Sequence, residues 1–385
     1  VHCWVDFSLL RSAGDSVSTS TYRSALAFAL ILVFLDVKHE KTSMKVGLKA
    51  IDWYGMFTFL AFTLMILLGL DFGGAVFPWN SAQVICLVVI GAVMVGAFIY
   101  SEAKLARYPI IPLSLFKNKS NLAALGVCIF HGLTFIPAEY YLPLWYQSVK
   151  QASPLRSGIL LVPFIVSTAL AGVCGGVIIH RTGRYRELMW IGTFLLTLGM
   201  GLLIILDANS STGEAIGLTI VFGIGSGLLF EPPLIAIQAH SKQEDVATAT
   251  STFSFCRCIA LAISVVIGGV IFQNSMDAQS HNLLRQGLPA DIADKLRGST
   301  AAANVALASQ LGSQVQKHAV EQAFATSMRN MFVVYTCLGA VAFICSIFVG
   351  KSELSEDHVE TVTGIRKEKE VITDAPASHG GIEMA

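Results

Sequence analysis

Four ionisable side chains stand inside otherwise apolar runs of this chain: His131 in "CIFHGLTFIP", Glu139 in "EYYLPLWYQSV", Glu231 in "FGIGSGLLFEPP" and Arg257 in "FSFCRCIALAI". A charge among apolar neighbours is costly, so each is a candidate for moving protons or gripping the polar part of a ligand. An imidazole at His131 suits a proton relay, and it equally suits a neutral histidine hydrogen-bonded between helices. Glu139 is followed by Tyr140, Tyr141 and Trp145, which fits either an aromatic belt with the carboxylate reaching water or the mouth of a substrate path. Around Glu231 the logic differs. Gly223 and Gly227 at i, i+4 make a close-packing face, while Pro232 and Pro233 withdraw two backbone donors, so the stretch is a packing element or a hinge. Gly172 and Gly176 form a second face of that kind, and Asp207, ending its run, reads as a solvated boundary residue.

Enzyme patterns are absent from the sequence. The "GIGSG" run lacks the glycine two residues before Ser226 that a nucleophile elbow needs, and no H-E-x-x-H or phosphate-binding loop occurs. We expect neither catalysis nor a metal or cofactor. The 26 basic residues are balanced by 26 acidic ones, and no basic stripe interleaves with aromatics, so nucleic acid is not an expected partner. The eight cysteines show no C-x-x-C spacing and read as small residues of apolar runs.

The elements that position these side chains follow from hydropathy. With 54% hydrophobic and 14% charged residues, and a mean hydropathy of +0.64, the chain has too little polar surface to fold in water, which makes a lipid bilayer its solvent. A crossing needs about 20 apolar residues. That measure lays out spans at 50–70, 82–101, 121–146, 157–179, 188–206, 215–238, 247–273 and 328–350, with a half-length run at 25–35. The predicted class is therefore an all-α membrane protein. Basic loops at 36–49, 102–120 and 180–187 alternate with 71–81 and 207–214, which hold no Lys or Arg, so the first set is expected in the cytoplasm. Lys150 and Arg156 make 147–156 a mild exception. Of the sequons at Asn118 and Asn209, only Asn209 then lies outside and is a glycosylation candidate. The segment 274–327 reads as an external loop with amphipathic surface helices over 289–297 and 301–323, and 351–385 as a disordered cytoplasmic tail. On these boundaries Glu231 and Arg257 sit at similar depth on consecutive spans, which predicts that both face inward, with a direct ion pair as one option.

The phrase "GGVIIHRTGRYR", residues 175–186, resembles the G-x-x-x-D-R-x-G-R loop of the major facilitator superfamily through Gly176, Arg181, Gly183 and Arg184. His180 stands where that family carries Asp, which removes the carboxylate of its charge relay. "YPIIPLSLFKNKS", "SPLRSGILLVPF", "FGIGSGLLFEPP" and the run 247–274 further resemble fungal fourteen-span drug:proton antiporters, including toxin-efflux pumps. The resemblance implies that 25–37 is the remnant of a span, 50–102 an extra hairpin and 121–350 a six-helix C-terminal bundle. It also implies proton-coupled efflux of a small organic molecule, most readily across the plasma membrane, and a missing N-terminal half-transporter as partner. A non-transporting membrane remnant, or a siderophore or amino-acid carrier of the same superfamily, is the alternative. Ala260 and Ser264 occupy positions where relatives tend to carry Gly, which implies looser or shifted packing there. Residues 1–24 match nothing in the family. Their codons near the junction, read one base out of phase, permit a phrase one position removed from the family's, so 1–24 are expected to be an out-of-frame segment without evolved function.

Overall fold

The computed structural model describes residues 52–73, 76–105, 113–241, 245–305 and 307–352. The expectations for 1–24, for 25–37 and for the tail beyond Ser352 fall outside them. Among the described residues the chain is helical, and strand-type pairing is confined to an isolated bridge between Gly73 and Phe77. Eight helical stretches are long and apolar enough to cross a membrane. They comprise α1 (Trp53–Phe72), α2 (Ala82–Tyr100, ending in a π turn at Ser101–Leu105), α3 (Lys119–Ser148), α4 (Pro154–Thr182) and α5 (Tyr185–Leu203). The sixth crossing is made of two pieces, α6 (Thr212–Gly227) and α7 (Pro232–Ala239), and α8 (Val246–Arg285) and α11 (Gln314–Ile347) complete the set. Two short helices, α9 (Ala290–Lys295) and α10 (Leu307–Gln310), lie between the last two.

Helix ends are fixed by local chemistry. Ser81, Asn118, Ser153 and Ser211 each accept a backbone N–H of the following first turn; Pro154 stands just inside α4, and Ser211 forms a reciprocal box with Glu214. Gly183 ends α4 in the left-handed region at φ 66°, with its N–H on the Ile179 carbonyl, a conformation that a side chain would strain.

Glycine governs how these helices approach. A methyl group at Gly223 or Gly227 would strike the carbonyls of Phe164 and Thr168 on α4, while one at Gly225 or Gly199 would strike the α5–α6 contact at Leu195, Leu196 and Phe222. The small faces thus set α6 between α4 and α5 at backbone contact. Gly176 is a correction: a side chain there meets open space, and its neighbour Gly175 is the glycine packed against Leu188 and Leu228. Helix α3 is the most enclosed and touches α4, α7, α8 and α11. Helices α1 and α2 pair with each other; α1 also reaches α8, with Phe59 and Phe255 ring centroids 4.2 Å apart. Large side chains such as Phe57, Leu170 and Val173 remain exposed, which suits contact with lipid rather than water.

Two further expectations are corrected. Packing near Ala260 and Ser264 is not loose: Ala260 fits opposite Gly132, the Ser264 hydroxyl donates to the Leu133 carbonyl at 2.5 Å, and Tyr335 donates to the Ser264 carbonyl at 2.5 Å. The surface helix over 301–323 does not form either. Instead α8 continues to Arg285 and α11 begins at Gln314, because Phe272, Met276 and Leu283 on one and Val320 and Phe324 on the other prolong a shared buried stripe past the apolar runs. Leu288, Ala293 and Leu296 close over it, and Arg297 holds Asp277 at 2.9 Å.

At the opposite end the chain leaving α11 straps several helices together. Tyr185 donates to the Gly350 carbonyl at 3.1 Å and accepts the Ser352 N–H at 2.8 Å. Ser120 accepts the Gly350 N–H at 2.9 Å, and Ser352 donates to the Ala239 carbonyl at 3.1 Å.

Candidate functional site

The sixth crossing breaks between α6 and α7. Proline at 232 and 233 offers no N–H to the carbonyls of Leu228 and Leu229, so the helix cannot continue, and it restarts with both prolines in its first turn. Glu231 occupies the N-cap position of α7 but makes no side-chain cap, and it is exposed; Pro232 and Pro233 are buried.

Phe230, within the break, is the hub of the site. The guanidinium carbon of Arg257, from α8, lies 4.3 Å from its ring centroid. His131, from α3, meets the same ring edge-on at 5.4 Å, and Phe135 does likewise at 5.4 Å. The stack runs on through Phe164 of α4, 6.0 Å from Phe135, to Phe222 of α6 at 5.8 Å. Four crossings therefore converge on one aromatic cluster. His131 is only 1% exposed and its Nε2 has no hydrogen-bond partner; the Ser226 backbone and Arg257 are its nearby polar neighbours.

Sequence placed Arg257 and Glu231 at similar depth with both facing inward; Arg257 is half-buried over Phe230, whereas Glu231 is exposed. The direct ion pair is not formed: among the described residues Glu231 makes no ion pair within 4.0 Å, and it reaches Arg257 only through longer-range electrostatics. Arg257 begins about 17 Å along α8 from Val246, near the middle of a crossing. A guanidinium there costs roughly 2.5–3.5 kcal/mol to insert, whereas a cation–π contact returns about 0.5–2 kcal/mol. Stacking alone leaves the charge under-compensated. Among the described residues no carboxylate within 4.0 Å completes the compensation.

The other singled-out residues lie apart from this cluster. Glu139 and Tyr140 are exposed, whereas Tyr141 and Trp145 turn inward. His180, Arg181, Gly183 and Arg184 are exposed at the α4–α5 turn. Asp207 folds its own loop, accepting the N–H groups of Asn209 and Ser210 at 2.8 Å, and Asn209 is exposed. Lys150 donates to the Ala208 carbonyl at 2.8 Å with its ammonium over Trp145, so the one basic loop that broke the charge alternation is tied to the loop at 207–211. Phe135, Phe164 and Phe230 were missed in the sequence, because a phenylalanine in an apolar run carries no signal that separates a site wall from a lipid-facing side chain.

Comparison with known proteins gives this geometry its context. The chain is 42% identical over 344 residues to the MFS-type transporter ppz2 of Metarhizium majus, covering 89% of this chain and 59% of that protein. It is 40% identical over 344 residues to the efflux pump dotC of Dothistroma septosporum, with 89% and 59% covered. It is 32% identical over 329 residues to the efflux pump FUS6 of Gibberella moniliformis, with 85% and 58% covered. The chain thus spans about three fifths of the length of these curated relatives. The Major Facilitator Superfamily pattern matches residues 47–265, more than half of the chain, and the protein belongs to that superfamily.

Proposed function

We propose that this chain forms the C-terminal part of a proton-coupled exporter of small organic molecules, of the fourteen-span type. In this reading the six crossings from α3 to α11 form one half of the transporter as two inverted three-helix repeats, α1 and α2 are an extra hairpin beside α8, and a six-helix half supplies the rocking partner. The basic loops face the cytoplasm of a plasma-membrane protein. His131 and Glu231 are its proton-handling candidates, and the α6–α7 break is the hinge that lets substrate access alternate.

The interrupted crossing carries this reading. A break at membrane depth is tolerated where protein or a cavity surrounds it, and here it gathers an imidazole whose Nε2 has no partner among the described residues, a guanidinium and an uncapped carboxylate. Relatives described as efflux pumps supply the direction of transport.

The test is flux in inside-out proteoliposomes. The chain joined to a preceding six-helix half should accumulate a fluorescent organic dye when the lumen is acid, and a protonophore should abolish the uptake. Glu231→Gln or His131→Gln should uncouple dye uptake from the proton gradient, while the 385-residue chain alone should show no uptake. Dye uptake by the joined protein that ignores the protonophore refutes proton coupling, and the absence of any uptake refutes the transporter reading.

A further inference from the structure

We infer that Arg257, held on the ring of Phe230 at the broken crossing, is the docking point for the carboxylate of a flat aromatic organic anion. The inference rests on the reading that this cluster lies in the substrate path, and it names the chemistry of what binds there.

The guanidinium carbon lies over the Phe230 ring, 4.3 Å from its centroid. A ring contact does not use up the five N–H donors of a guanidinium, whose fork geometry matches a carboxylate. Among the described residues no carboxylate lies within 4.0 Å of it. Among the described residues the half-buried charge thus has the Phe230 ring beside it and no carboxylate in contact. An ionised ligand group would supply what the described residues do not.

The surroundings select the rest of the ligand. Phe230 meets Phe135 and His131 edge-to-face at 5.4 Å, and His131 and Phe135 lie tilted at 5.9 Å; Phe230 and Phe135 are partly exposed, while His131 and Phe164 are buried beside them. Such a surface favours a rigid ring system over an aliphatic chain, since aromatic pairs gain from geometry as well as area. Among the described residues Glu231 is the carboxylate that acts on Arg257, and this exposed side chain lies beyond ion-pair distance. A ligand carboxylate in contact with the fork would outweigh it.

Binding of 2-naphthoate and of its uncharged analogue 2-naphthamide to the full 385-residue chain in phosphatidylcholine nanodiscs tests this, with affinities read by calorimetry. Naphthoate should bind about tenfold more tightly, the scale of one charge-assisted contact. Arg257→Lys, which keeps the charge but loses the planar fork, should retain only part of that preference, and Arg257→Gln should shrink it to within about twofold. The unmutated chain provides a check independent of variant folding. Phenylglyoxal modification of Arg257, followed by mass spectrometry, should be slowed by naphthoate and unaffected by naphthamide. Equal affinities, a preference that survives Arg257→Gln, or modification that naphthoate does not slow would each overturn the inference. Because binding is read without flux, a chain that selects naphthoate through Arg257 but gives no proton-driven uptake when joined to its partner half removes the functional reading alone. Proton-driven uptake with no naphthoate preference removes this inference alone.

Discussion

The Ser264 hydroxyl donates to the Leu133 carbonyl at 2.5 Å, and that carbonyl is the one Pro137 leaves without a helical donor. A proline four residues on cannot supply an N–H, so a side chain from α8 replaces it and α3 passes through Pro137 as a continuous helix. Ser264→Ala should therefore cost about 1–3 kcal/mol, the penalty for a buried acceptor left unsatisfied. The fall in unfolding temperature in detergent checks it, and Ser264→Thr, which restores a hydroxyl, should recover part of the loss.

Gly227 and Gly176 should respond oppositely to alanine. At Gly227 the added methyl group meets the Thr168 carbonyl and Ala171, both of which would have to move. The expected loss is roughly 1–3 kcal/mol from overpacking. At Gly176 the methyl group enters open space, and the better helix propensity of alanine makes the change neutral or stabilising by up to about 1 kcal/mol. Paired thermal unfolding of the two variants separates them, and equal effects would contradict the packing described.

Tyr185→Phe removes one oxygen that both donates to Gly350 and accepts from Ser352. The helix ends should survive, but the strap should loosen, at a cost of about 1–2 kcal/mol. Hydrogen exchange at residues 349–352 should accelerate while exchange in the middle of α3 stays unchanged. Unaltered exchange in the strap would show that the bonds of Ser120 and of Ser352 to Ala239 hold it without Tyr185.

Three crossings separate Asn118, which caps α3, from Asn209, which follows α5. The two positions should therefore lie on opposite faces of the membrane. In a background with the native cysteines replaced, Asn209→Cys should react with an impermeant maleimide on intact cells and Asn118→Cys only after permeabilisation. Lys150→Cys should label with Asn209→Cys, since Lys150 bonds Ala208 beside it. The reverse pattern would invert the orientation drawn from loop charge.

The crossings themselves were legible because lipid permits few solutions: a run of about 20 apolar residues has to satisfy its backbone internally, and only a helix does so within one segment. The two prolines after Glu231 likewise announced a weakened helix, since a missing N–H is a property of the residue and not of its surroundings. Composition and hydropathy thus determined the class, the number of long helices and the place of the break. Helix rotation lay beyond them, because side chains on every face of a lipid-embedded helix are apolar and periodicity carries little information. Only the tertiary structure decided that Arg257 stacks on Phe230 instead of pairing with Glu231, that Gly175 rather than Gly176 is packed, and that α8 and α11 outrun their apolar segments. Each of those outcomes depends on which neighbour a side chain meets across a helix interface, and a carbonyl orphaned by Pro137 finds its donor 131 residues away at Ser264.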